Sequence, residues 1–170
     1  MSEKTKDVRE ELNSTMAPSD TKGLVRVLVY GTLKSRQYNN DLMQRAGARF
    51  VGFDYIAGSF KLVDLGAFPA AYFIEPSATK GGFPNNHIYG EIWAVPSEMI
   101  AELDYMEGHP NFYKRVKLWS QRLNLRVWTY FMEAKYHTDH AVLLPKGIWQ
   151  PSSEELQFWN EYDESKTAHV

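Results

Sequence analysis

A chain of 170 residues, 44% hydrophobic and 24% charged, is long enough to bury a sizeable core and reads as one globular domain. A net charge of -2 and the absence of cysteine exclude a basic nucleic-acid binder, a disulfide scaffold, a thiolate nucleophile and a Cys-ligated metal. No apolar run reaches the roughly 18 residues of a membrane span, and the charged N-terminus lacks the apolar stretch of a signal peptide, so a cytoplasmic protein is expected.

In chain order, residues 1–22 read as a flexible polar arm, 23–150 as the ordered domain, and 151–170 as a C-terminal helix and tail. LVRVLV opens the domain as a strand too apolar for a solvent-facing edge, and is therefore expected to be central. A short helix is expected from Asn40 to Ala46, ending at Gly47. Two strand-like runs follow in FVGFDYIAGSFKLVDLG, with Gly58 and Gly66 expected to bend the sheet. AAYFIE is a further strand, and PSATKGGFPNN is a loop and a candidate lid. HIYGEIWAV alternates as a strand, and a helix runs from Ser97, its expected N-cap, to about Glu107. FYKRVKLWS and LRVWTYFME are strands joined near Arg122–Asn124. A last helix starts near Ser152, with Glu155 in the capping-box position. The whole predicts an α+β fold, a small mixed β-barrel with a few short helices.

Two stretches invite a chemical reading. The first strand ends in Tyr30-Gly31-Thr32-Leu33, where a plain hairpin turn would place Asn-Gly or Asp-Gly. Either this is only a turn, or its backbone N–H groups hold an anion. The second stretch is PSEMIAELDYMEGHP. At about 100° per residue, Met99, Ile100, Leu103 and Met106 share an arc of about 120°, and Glu107 falls inside it. Glu102 and Asp104 fall outside, where solvated carboxylates belong. Burial and the negative end of the helix dipole would both raise the pKa of Glu107 toward that of a proton carrier. The bland alternatives are a fraying last turn that turns Glu107 to water, or a pair with Arg115.

Taken together, VYGTLK, LVDLGAFPAAYF, YGEIWAV, ELDYMEGHPNFYKRV, WTYFM and the late GIW resemble the γ-glutamylcyclotransferase-like family, in its γ-glutamylamine cyclotransferase and AIG2-like branch. The likeness spans about residues 25–150; Ile148 stands where relatives commonly carry an acid. It implies a pocket at the end of the first strand and cyclisation of a γ-glutamyl compound. The substrate's α-amine attacks its own γ-carbonyl, releasing 5-oxoproline and an amine, with no cofactor and no metal. By motif position it implies Glu107 as general acid/base, with Tyr30, Gly31, Thr32, Leu33 and Tyr113 binding substrate. The implied partner is a small γ-glutamyl molecule, not nucleic acid or membrane. A binding or regulatory module with the same carboxylate-recognising pocket is the alternative, and another acyl substrate is a third reading.

The remaining candidates carry less. His137 and His140 lack a third metal ligand, and Ser152-Ser153 is a helix cap rather than a nucleophile. Arg26, Lys34, Arg36 and Arg45 lie near the first motif as surface charges or carboxylate binders. The aromatic set Tyr72, Phe73, Trp93, Phe112, Trp119, Trp128, Tyr130 and Phe131 is expected to be mostly core, with one or two rings in the pocket.

Overall fold

The computed structural model describes residues 23–74, 87–133 and 140–167. The expected arm at 1–22, the PSATKGGFPNN loop and His137 lie outside them. The elements in chain order are β1 (Leu24–Val29), α1 (Asn40–Arg45), β2 (Arg49–Ala57), β3 (Phe60–Asp64), β4 (Pro69–Phe73) and β5 (His87–Pro96). There follow α2 (Met99–Glu107), β6 (Tyr113–Trp119), β7 (Arg126–Met132), β8 (Val142–Leu143) and α3 (Ser153–Thr167).

Strand β1 is central, as its composition predicts. It lies between β5, to which it is antiparallel, and β7, to which it is parallel, in a five-stranded mixed sheet of order β2-β5-β1-β7-β6. Its side chains alternate between two cores. Val27 and Val29 join Met43, Trp93, Leu103 and Tyr130 on one face; Leu28 and Tyr30 join Ile56, Ile92, Val127 and Phe131 on the other. A strand buried on both faces needs a near-continuous apolar run, which is what LVRVLV supplies.

The α+β class and the mixed sheet hold, but the sheet does not close into a barrel. Strands β3, β4 and β8 form a separate three-stranded sheet, order β4-β3-β8. Gly58 lies where the chain leaves β2 for that second sheet, and Gly66 lies in the β3–β4 turn. The bulge within a strand is at Phe50–Gly52 instead.

Helix α3 is built into the body rather than trailing from it. Trp159 is buried and packs edge-on against Tyr55 and Tyr89. Ser152 accepts the Glu155 N–H at 3.1 Å and so caps the helix. The other half of the expected capping box is missing, because the Glu155 carboxylate is committed to Lys34.

Candidate active site

A cavity of about 180 Å³ opens where β1 ends. Tyr30, Thr32 and Leu33 line one side, and Met106 and Glu107, on the last turn of α2, line another. Phe68 and Pro69 at the start of β4, Phe112 and Tyr113 at the start of β6, and Tyr130 on β7 complete most of the wall. Two motifs some 75 residues apart in sequence therefore share one concavity, with Tyr113 beside them. Gly31 stands outside the lining; a Cβ there would meet the Pro69 ring at 2.9 Å, so this glycine seats the β1 end against β4. The glycine of the YGE motif is also a packing device, since a Cβ on Gly90 would lie 2.3 Å from the Val29 carbonyl oxygen.

The three carboxylates on α2 have three different surroundings. Glu102 is exposed. Asp104 is not solvated as the helical arc predicts: it is half-buried, takes a two-pronged ion pair from Arg115 at 2.9 and 3.2 Å, and accepts the Tyr130 hydroxyl at 2.7 Å. Arg115 is thus occupied by Asp104 and does not hold Glu107. Glu107, half-buried, has no hydrogen-bond or ion-pair partner among the described residues. Removal from water pushes its carboxyl up to about 7. Gly108 ends the helix directly after it in the left-handed conformation, φ 67°, which a residue with a side chain would resist. The N-terminal end differs from expectation: α2 starts at Met99, and no side chain caps it.

Three tyrosines surround this acid with their hydroxyl protons already committed. Tyr30 donates to the Tyr130 carbonyl and accepts the Ala71 N–H at 3.2 Å. Tyr113 donates to the Pro69 carbonyl at 2.8 Å, and Tyr130 to Asp104. Burial above all, with a contribution from the Glu107 charge, holds all three phenols well above their ordinary range. They remain neutral at any ordinary pH and act as walls and braces. Of the polar side chains lining the cavity, Glu107 is the one poised to exchange a proton near neutrality.

The loop after β1 is clamped from behind. Lys34 is fully buried, not a surface charge, and donates to the Trp149 carbonyl at 2.7 Å and to Glu155 at 2.8 Å. Glu91 accepts from the Ser35 N–H and hydroxyl and from the Trp93 indole. Arg36 pairs with Glu154 at the surface. In the turn itself the Lys34 N–H bonds the Gly31 carbonyl at 3.0 Å. Among the described residues the Thr32 and Leu33 amides have no hydrogen-bond acceptor. Thr32 is braced by Asn39, whose side-chain amide donates to its hydroxyl at 3.0 Å.

Sequence reasoning did not single out Tyr38, Asn39, Phe68, Pro69 and Met106 as cavity residues. Phe68, Pro69 and Met106 lie in stretches that carry the family likeness and Tyr38 and Asn39 do not, but nothing local marks any of the five as a cavity residue; only the folded chain brings them together. Phe112 and Tyr130 are the two rings of the aromatic set that reach the cavity, while Tyr72, Trp93 and Phe131 are core. Phe73 and Trp119 are exposed rather than core, the latter under Arg126. His140 is exposed, and among the described residues Arg45 bonds only the Asp41 carbonyl of its own helix. Among the described residues no cluster of His, Asp or Glu is arranged to hold a metal.

The sequence model of the family described as "Gamma-glutamyl cyclotransferase, AIG2-like" matches residues 27–151. A putative gamma-glutamylcyclotransferase of Drosophila melanogaster is 32% identical over 113 residues, covering 63% of this chain and 69% of the relative. The gamma-glutamylaminecyclotransferase of Rattus norvegicus is 35% identical over 98 residues, covering 56% and 62%. The crystal structure of an AIG2-like protein from Mus musculus superposes with a TM-score of 0.59 at 24% identity, covering 76% of this chain and 97% of that one, which is a likeness of fold. The chain belongs to the γ-glutamyl cyclotransferase, AIG2-like family, and its activity is of that enzymatic class.

Proposed function

We propose that this member of the γ-glutamyl cyclotransferase, AIG2-like family cleaves a γ-glutamyl amine or γ-glutamyl amino acid, with Glu107 as the general acid/base. The observation that carries the reading is the Glu107 carboxyl, unpaired among the described residues and raised to about 7, in the same cavity as the strand-end loop. The substrate's α-ammonium cannot attack until it loses a proton, and the Glu107 carboxylate takes it. The freed amine attacks the γ-carbonyl carbon, and the amides of Thr32 and Leu33 stabilise the oxygen as charge builds on it. The bond to the departing nitrogen breaks as protonated Glu107 returns its proton there. Overall two protons pass from the α-nitrogen to the leaving nitrogen, and one carboxyl near neutrality carries them in turn. 5-Oxoproline and a free amine result. Because the nucleophile belongs to the substrate, the protein's task is orientation within a confined space, which a neutral, tyrosine-walled cavity performs.

Incubation with a panel of γ-glutamyl amides and γ-glutamyl amino acids is expected to release 5-oxoproline. The kcat/KM profile should rise with pH through an apparent pKa of about 7, as the Glu107 carboxylate forms. A panel without turnover rejects the reading; turnover with a pH profile unchanged in Glu107→Gln rejects the role of Glu107.

A further inference from the structure

We propose that Asp104 is a positioning residue for the reaction: with Arg115 it forms a charge-neutral pair beside Glu107, which withholds the arginine from that acid and takes the Tyr130 hydroxyl proton. The role rests on the cyclotransferase reading above and adds to it a residue that acts on Glu107 without touching substrate.

Asp104 lies three residues before Glu107 on α2, which sets their Cβ atoms about 5–6 Å apart on the helix surface. Its Oδ1 accepts Arg115 Nε at 2.9 Å and the Tyr130 hydroxyl at 2.7 Å, and its Oδ2 accepts Arg115 Nη2 at 3.2 Å. Arg115 is held from two further directions. Its backbone N–H donates to His109 Nδ1 at 2.9 Å, and its guanidinium lies over the Trp128 ring at 4.2 Å. The Arg115 and Asp104 side chains are 21% and 19% exposed, so water screens the pair less than it screens a surface pair.

Either charge alone would act on Glu107. Asp104 by itself sets a second anion one turn away and opposes ionisation of Glu107; Arg115 by itself favours the carboxylate and weakens it as a base. Together they cancel. The other groups around the acid bring little charge to it. Tyr30 from β1, Tyr38 from the loop after it, Tyr72 from β4, Tyr113 from β6 and Tyr130 from β7 are phenols, neutral where a carboxyl titrates. Strand β5, against which α2 packs, puts Trp93 and Val95 into this core, and its Glu91 is taken by Ser35 and the Trp93 indole. Glu102 on α2 and Lys114 and Lys117 on β6 are exposed, and His109 has its Nδ1 committed as an acceptor. A carboxylate can thus fix the Tyr130 hydroxyl next to the reacting acid because a cation travels with it.

A charge ladder tests this. Asp104→Asn keeps the shape and an acceptor for Tyr130 but leaves the Arg115 charge uncancelled; Arg115→Met leaves that of Asp104. The pH at which Glu107 is half ionised is expected to fall by about one unit in the first and rise by about one unit in the second. It should return to the parental value when both changes are made. The pH is read from the kcat/KM profile for a γ-glutamyl substrate, and without substrate from NMR of the side-chain carboxyl carbons, the Glu107 signal being the one missing in Glu107→Gln. Asp104→Asn removes no volume and decides the matter by itself if Arg115→Met does not fold. A merely structural pair would lower the melting temperature and leave the half-ionisation pH where it was; that result overturns the proposal. So does a shift of the same sign in both single variants, or one that the double variant does not reverse. Shifts seen by NMR with no 5-oxoproline from any γ-glutamyl compound leave the charge pairing standing and reject the cyclotransferase reading.

Discussion

The loop after β1 has two sides, and each meets buried carboxylates under opposite conditions. On the front, Tyr30, Thr32 and Leu33 face a cavity in which Glu107 has no partner among the described residues. Behind, Lys34 and Ser35 are held by Glu155 and Glu91, both nearly inaccessible and both fully engaged. Burial raises Glu155 as it raises Glu107, but Lys34 opposes it there. A buried carboxylate with cations and N–H donors around it fixes a loop in place. One that faces a cavity with no counter-charge among the described residues is raised toward neutrality.

Substitutions on the two sides should therefore fail in different ways. Glu107→Gln is expected to lower kcat about 10²–10⁴-fold while the protein stays folded. It should also stabilise the fold at high pH. A carboxyl raised from 4.5 to about 7 is favoured in the folded state when protonated, so stability falls as pH rises between those values. Above pH 7 the variant should exceed the parent by about 1–3 kcal/mol in urea unfolding, and below pH 4.5 the two should coincide. A Gln variant less stable than the parent at pH 8 would mean that Glu107 has a hidden partner.

Lys34→Ala should do the reverse: it strands Glu155 in the interior and costs about 3–5 kcal/mol of stability. The paired change Lys34→Met with Glu155→Leu should recover most of that loss. If Lys34→Ala unfolds at the parent's midpoint, the clamp does not hold the loop. The smallest effect belongs to Arg36→Ala. Its ion pair with Glu154 has both side chains 66% exposed, and water and salt screen it. About 0–1 kcal/mol is expected, with unchanged turnover.

Much of the fold is legible in the sequence because its signals are local. The burial of β1 follows from its apolar run, the helix carrying Glu107 from its spacing and its Gly108 stop, and the β6–β7 pair from two strand-like runs joined by a short turn. The in-arc position of Glu107 could be read from helical geometry. The contrary fate of Asp104 could not, because it depends on Arg115 and Tyr130 arriving from β6 and β7. Lys34 misleads for the same reason. A lysine in a turn reads as solvated, and only the return of the chain at Trp149 and Glu155, more than a hundred residues later, buries it. The barrel expectation erred on a global property: glycines mark where a chain turns, not whether the resulting sheet closes on itself.

The sequence by itself determined which residues are candidates for the chemistry: one acid at a helix end, one strand that stops in Tyr-Gly-Thr-Leu, one tyrosine beyond the helix. Their identities and spacing are local facts, and so is the family likeness they carry. The tertiary structure decided what each of them is free to do. It spent the tyrosine protons on backbone carbonyls and on Asp104, gave Arg115 to Asp104 and Lys34 to Glu155, and left Glu107 facing the Thr32 side of one small cavity without a counter-charge among the described residues. A carboxylate's pKa depends on what surrounds it in space, and those surroundings come from segments distant in the chain.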